Sequence, residues 1–140
     1  YTPFSHYTTM DASQLAQVEA LCETLYTGIP TTTSEGETVT RNDAQQRLLS
    51  LQSSAEYIPQ CQYILDNSNS QYARLVATNS LTELITIHWN SFTVPQRIDI
   101  RNYVLGYLAN NGPHLQDFVV VALIKLVCRI TKLGWFDDPV

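Results

Sequence analysis

The longest apolar run in the chain extends from Phe118 to Trp135 and contains three charged residues, all of them basic. Lys125, Arg129 and Lys132 follow one another at helical spacing, so on an α-helix they occupy one narrow stripe while the remaining circumference is apolar. A helix of this kind must be covered on nearly every side. Two environments provide such cover, namely a lipid bilayer and a sandwich of neighbouring helices.

The basic residues decide between these two environments. A membrane span needs ~20 predominantly apolar residues, whereas this run meets Lys125 after seven apolar positions. A charged side chain at that depth of a bilayer is unfavourable. We therefore predict a helix that is enclosed by other helices and shows only its basic stripe to solvent.

Length and composition favour one folded domain with a core of its own. The chain has 140 residues, of which 44% are hydrophobic and 15% are charged, as is usual for globular proteins. The net charge of −5 is concentrated in the first half, where eight carboxylates face two arginines. This balance argues against a nucleic-acid partner, which needs a basic face, and favours a basic protein partner.

Cysteine and histidine positions give no sign of a metal or a cofactor. Cys22, Cys61 and Cys128 are odd in number, far apart, and each lies in an apolar helical pattern. We predict buried free thiols in a reducing compartment rather than disulfides or metal ligands. The histidines share no ligand-like spacing with them. Neither a phosphate-binding glycine loop nor a nucleophile elbow occurs, so we predict no catalytic residues and no enzyme activity.

The rest of the chain divides into helices separated by polar segments and helix-ending residues. Thr93 and Gln96 have the spacing of a capping box, and Gly112 followed by Pro113 predicts a glycine cap at the end of that helix. The polar segment Thr31–Thr38 predicts an exposed, disordered loop. Apolar spacing predicts helices over residues 11–26, 40–51, 57–65 and 93–111, and a sixth helix that begins after Pro113. The fourth helix extends to residue 88 and begins at Ser68 or Ser70, either of which can cap it.

Alternate helices begin near residues 13, 57 and 95, a period of about 40 residues that is typical of HEAT and armadillo repeats. Such helix pairs stack into a solenoid. We predict an all-α, right-handed α-α superhelix of three HEAT-like pairs, over residues 11–53, 54–90 and 91–140, after a leader or tag-like extension at 1–10. The final pair is the most apolar and lacks a polar cap, so we expect a fragment of a longer array.

Four segments of these helices resemble a known family. They are CQYIL at 61–65, YARLVATNSLTEL at 72–84, RIDIRNYVLGYL at 97–108 and RITKLGWFD at 129–137. These segments are similar to the amino-terminal HEAT repeats of the importin-β (karyopherin) superfamily. The last two resemble its exportin-seven branch, which includes Ran-binding sister proteins. The resemblance covers about residues 14–137 and leaves out the leader and the 31–40 loop.

The resemblance implies a nuclear transport receptor that shuttles between nucleus and cytoplasm. Members of the family bind the small GTPase Ran in its GTP form through their amino-terminal repeats, whose second helices line a concave surface. Ran and protein cargo are therefore the implied partners, with cargo and nucleoporins contacted mainly by the remainder of the chain. No cofactor, nucleic acid or membrane partner is implied.

Exposed polar residues on the second helices are the candidate contacts with Ran. Each of them has ordinary solvated surface as its alternative interpretation, and Lys132 is better explained by the helix dipole, which a nearby cation stabilises by ~0.3–1 kcal/mol. The alternative function is a HEAT-repeat scaffold or adaptor that binds a protein partner independently of any GTPase. The candidates are Asn42, Gln45, Gln46, Asn79, Glu83, Lys125 and Arg129.

Overall fold

The computed structural model describes residues 10–33 and 35–135. Short 3-10 turns at Leu49–Gln52, Ala55–Tyr57, Trp89–Ser91 and Gly112–His114 connect its helices. The prediction of an all-α array of HEAT-like helix pairs is confirmed. The described residues form six α-helices, which are α1 (Ala12–Thr27), α2 (Arg41–Leu48), α3 (Ile58–Asn67), α4 (Gln71–His88), α5 (Val94–Asn111) and α6 (Asp117–Leu133).

Side-chain caps determine where most of these helices begin. Asp11, Thr40 and Thr93 each accept a hydrogen bond from a backbone amide in the first turn, and a side chain from that turn accepts one from the capping residue's own amide. Two otherwise unpaired backbone donors are satisfied at each start. The capping box predicted from Thr93 and Gln96 is confirmed, and Ser70 caps α4 as one of the two predicted positions.

The connection between α5 and α6 differs from the prediction. Gly112 keeps right-handed torsion angles (φ −46°, ψ −48°), so it is not the expected left-handed glycine cap. The chain instead continues into the 3-10 turn Gly112–His114, where Pro113 is tolerated because an early helical position needs no amide donor. Leu115 is extended (φ −96°, ψ 150°). Consequently α6 begins at Asp117, later than the sequence predicts.

The polar segment after α1 forms a small hairpin instead of the expected disordered loop. Strands β1 (Thr31–Thr32) and β2 (Thr38–Val39) pair in antiparallel register, with Thr31 opposite Val39. Gly36, at φ 84°, supplies the left-handed turn position. Val39 is 1% exposed and fixes the hairpin to the core. The strand pairing and the burial of Val39, which lies one residue beyond the polar stretch, hold these two strands in place.

The centre of the array is α4 rather than α6. It packs against α1, α3 and α6, and its residues Leu81, Leu84 and Ile85 are at most 2% exposed. By contrast, α6 packs against α4 and α5, while Val121 and Ile124 on it are 50% and 48% exposed. Within the described residues, the expectation that α6 is enclosed on nearly every side is therefore wrong. No helix among those described combines the length and the apolar character that crossing a membrane requires.

Polar bonds tie different helix pairs together. The Tyr103 hydroxyl, on α5, donates to Asp66 Oδ1 at 2.9 Å and contacts the Gln62 carbonyl oxygen at 3.2 Å, both on α3. Burial raises the pKa of the Tyr103 phenol and also that of the Asp66 carboxyl. Ser68 Oγ, after α3, donates to Glu19 Oε2 of α1 at 2.6 Å. Each bond joins helices of adjacent pairs, so they help to fix the relative placement of the pairs.

The amino-terminal boundary is described in part. Met10 is 6% exposed and belongs to the hydrophobic core. Residues 1–9 of the predicted leader lie outside the described residues. The leader and the three pair boundaries at 11–53, 54–90 and 91–140 remain predictions.

Two glycine substitutions are expected to change stability in opposite directions. Gly106 lies inside α5, and a Cβ added there meets no atom within 4 Å. Gly106→Ala should raise the free energy of unfolding by ~0.5–1 kcal/mol, because alanine loses less backbone entropy in a helix. Gly28 ends α1 at φ 76°, and an added Cβ would lie 2.5 Å from Arg41 Nη2. Gly28→Ala should lower the free energy of unfolding by ~1–2 kcal/mol, because a side chain is disfavoured in the left-handed conformation. Thermal unfolding compares the two, and shifts of the same sign would contradict these assignments.

Candidate protein-binding surface

The first turns of α4 and α6 lie side by side, so the two helices run parallel. The backbone amide of Gln116 donates to the side-chain Oε1 of Gln71 at 3.1 Å. The Tyr72 and Phe118 rings stack with centroids 5.9 Å apart and planes at 5°. Tyr26, from the last turn of α1, also stacks on Tyr72, at 5.2 Å and 11°. We call Tyr26, Tyr72 and Phe118 the aromatic ladder. It crosses one edge of the array through α1, α4 and α6.

Beyond the aromatic ladder, the exposed faces of α4 and α6 both change from apolar to charged residues along the helix. On each helix an apolar residue comes first, a polar or charged residue follows one turn later, and a charged residue follows after a further turn. We call these residues the graded surface, because its character changes from apolar to charged over ~12 Å at 1.5 Å per residue. They are Leu75, Asn79 and Glu83 on α4, and Val121, Lys125 and Arg129 on α6.

A groove of about 590 Å³ lies between α4 and α6. Its apolar lining consists of Leu75, Phe118, Val121 and Ala122, and Asn79 and Lys125 line it as well. The structure therefore brings together two of the predicted contact residues, one from each helix. It also places them directly beside apolar side chains.

A second, smaller groove of about 170 Å³ lies between α1, α2 and α4. Gln45 and Asn79 line it together with Tyr26 and Leu49. Because Asn79 lines both grooves, it connects Gln45 on one side with Lys125 on the other. Three of the predicted residues thus belong to one continuous surface.

The other four candidates, Asn42, Gln46, Glu83 and Arg129, are exposed but line neither groove. Sequence reasoning did not identify the apolar side of this surface, because it chose candidate contacts from polar residues alone. The spacing itself held the signal, since the apolar residues share a helix face with the polar candidates. The missed residues are Tyr26, Leu49, Leu75, Phe118 and Val121.

Charges on this surface are available to a partner. Within the described residues, Lys125 and Arg129 form no ion pair, and both are exposed. On α2, hydrogen bonds from the backbone amide and the hydroxyl of Thr40 hold the pKa of the Asp43 carboxyl below its usual value. Asp43 therefore remains a surface anion beside Asn42. No cluster of three or more histidine, cysteine or acidic residues in the described part of the chain is placed to hold a metal ion.

The three cysteines differ in their surroundings. Cys22 and Cys61 are buried free thiols, as predicted. Cys128 is free but exposed, so the prediction of its burial is wrong, because α6 leaves that side uncovered. Burial raises the pKa of Cys22 and of Cys61 to about 12. At neutral pH both are protonated and therefore unreactive.

Comparison with known proteins identifies the family. Residues 44–110, which include all of α4, match the family model of the importin-β N-terminal domain. The chain is 47% identical over 124 residues to Exportin-7-A of Xenopus laevis. It belongs to the importin-β superfamily. This member is also 41% identical over 123 residues to Ran-binding protein 17 of Homo sapiens, and 40% identical over 124 residues to Ran-binding protein 16 of Drosophila melanogaster.

These alignments cover nearly all of this chain but only a small part of each relative. They include 88–89% of the chain and 10–11% of the relatives' own length. The resemblance of the sequence to the importin-β superfamily and its exportin-seven branch is confirmed. The chain thus spans about a tenth of the proteins that it matches.

Proposed function

We propose that the chain is the amino-terminal, Ran-GTP-binding portion of a nuclear transport receptor of the exportin type. The observation that carries this proposal is its identity of 40–47% to an exportin and to proteins named for binding Ran. The receptor would shuttle between nucleus and cytoplasm, and cargo and nucleoporins would be bound mainly by the remainder of the protein. It acts by binding, without a cofactor or a catalytic step.

The surface that Ran would contact is formed by the second helices, α2, α4 and α6. Gln45, Asn79 and Lys125 form its centre, because they line adjoining grooves. Amide side chains there both donate and accept hydrogen bonds, and the Lys125 ammonium supplies a charge-assisted one. The remaining candidates, Asn42, Gln46, Glu83 and Arg129, would lie around this centre.

An NMR titration of the 15N-labelled chain tests the proposal. Ran loaded with a non-hydrolysable GTP analogue should shift amide resonances of α4 and α6, whereas Ran loaded with GDP should not. NMR is chosen because a portion of a receptor is expected to bind weakly, and chemical shifts report dissociation constants up to the millimolar range. Equal shifts with both forms would instead support a scaffold that binds independently of the nucleotide, and no shifts with either form would overturn the proposal.

A further inference from the structure

We propose that the apolar part of the groove between α4 and α6, formed by Leu75, Phe118 and Val121, provides most of the energy of Ran binding. It takes an apolar side chain of the GTP-bound GTPase, and a carboxylate of the same segment meets Lys125. This inference rests on the proposed function, because it assigns the binding energy and the chemistry of the bound segment at the same site.

The groove has the anatomy of a protein interface. Stable interfaces have an apolar centre surrounded by polar groups, and a few residues in that centre carry most of the affinity. Here Phe118 and Val121 are 40% and 50% exposed, and with Leu75 they line one groove that Asn79 and Lys125 border. The apolar residues are therefore contiguous and aligned with the polar candidates. A polar partner segment alone would leave this apolar lining unfilled.

The groove is held in shape before any partner binds. The Phe118 ring is stacked on Tyr72, which is itself stacked on Tyr26. The bond from the Gln116 amide to Gln71 fixes α6 against α4 at the same end. A ring that is already immobilised loses little conformational entropy on binding, so burial of its surface contributes more fully to affinity.

Two charges at different positions along the groove give the bound segment a direction. Asp117 lines the groove beside Phe118, whereas Lys125 lines it two turns further along α6. At 1.5 Å per residue, Lys125 is displaced by ~6 Å along the axis from Val121 and by ~10 Å from Phe118. A carboxylate is repelled at the Asp117 end and attracted at the Lys125 end. The segment that fits therefore has its acidic group ~6–10 Å beyond its apolar side chain.

Two variants of α6 with similar exposure test the inference. Val121 lines the groove and is 50% exposed, whereas Ile124 does not line it and is 48% exposed. In the NMR titration with Ran and the GTP analogue, Val121→Ser should weaken binding about tenfold, as expected at an interface hot spot. Ile124→Ser should stay within about twofold of the unmodified chain. Because both positions are exposed, unchanged melting temperatures would show that both variants remain folded.

Charge reversal tests the second contact in the same titration. Lys125→Glu should weaken binding about tenfold and make it less sensitive to salt, whereas Lys132→Glu, on the same helix but outside this groove, should have little effect. Equal losses at Val121 and Ile124, or no loss at Val121, would overturn the inference while the nucleotide preference of the unmodified chain still supported the proposed function. Groove resonances that shift with chain concentration in the absence of Ran would show that a second copy occupies the groove, and would overturn it too.

Discussion

Leu84→Ala is expected to lower the free energy of unfolding by about 4 kcal/mol, since removing a fully buried leucine leaves a cavity as well as losing apolar burial. Leu84 is 0% exposed on α4, the helix that packs against α1, α3 and α6. Domains of this kind are stable by only ~5–15 kcal/mol, so this one change removes a large share of the total. Urea denaturation followed by circular dichroism measures it.

Ile87→Ala is the matched control for that substitution. Ile87 lies on the same helix but is 60% exposed, so its truncation should change the free energy of unfolding by no more than ~0.5 kcal/mol. A similar loss from both variants would mean that α4 is not the centre of the core.

Raising the pH from 9 to 12 is expected to destabilise the folded chain steeply. The thiols of Cys22 and Cys61 have an ordinary pKa of 9.0, which burial raises to about 12 in the folded chain. The contribution of these two protonated thiols to the free energy of unfolding is fully present below pH 9. It is lost as the pH rises towards 12, because the thiols of the unfolded chain release their protons at lower pH than those of the folded chain. The free energy of unfolding should fall by ~1.4 kcal/mol per pH unit for each thiol.

The urea midpoint measured at pH 8, 9, 10 and 11 follows this loss. A variant with Cys22→Ala and Cys61→Ala should show a much flatter dependence on pH, although alanine leaves small cavities and lowers stability at every pH. Cys128→Ser should leave the dependence unchanged, because Cys128 is exposed. An equally steep dependence in the double variant would assign the alkaline loss to other groups. The partly buried Tyr103 phenol, whose pKa is also raised, would then be the first to consider.

Helix positions were predictable because their signals are local. The capping residues Thr93 and Ser70 act within one turn of the chain, and the structure uses both. Which helix is the most buried could not be predicted in the same way, because it depends on contacts between helices. Buried positions of α4 include Thr78 and Ser80, and the Thr78 hydroxyl donates to the Arg74 carbonyl within the helix at 2.8 Å. Polar residue types thus made the central helix look less buried than α6.

The candidate surface was predictable in its polar half alone. Asn79 and Lys125 were identified by exposure on second helices, and the structure places both at one groove. The apolar half depends on which residues of α4 and α6 lie at the same level. That alignment is set by the stacking of Tyr72 on Phe118 and by the hydrogen bond from the backbone amide of Gln116 to Gln71 Oε1. Neither contact leaves a pattern in a single helix.

The aromatic ladder has a mechanical consequence for the array. Its three rings come from α1, α4 and α6, so each belongs to a different helix pair. A change in the angle between neighbouring pairs would slide the rings over one another, and stacking energy would be lost at both contacts. Bending of the superhelix at this edge is therefore coupled to the shape of the groove beside Phe118. A partner bound in that groove would therefore oppose changes in the angles between α1, α4 and α6.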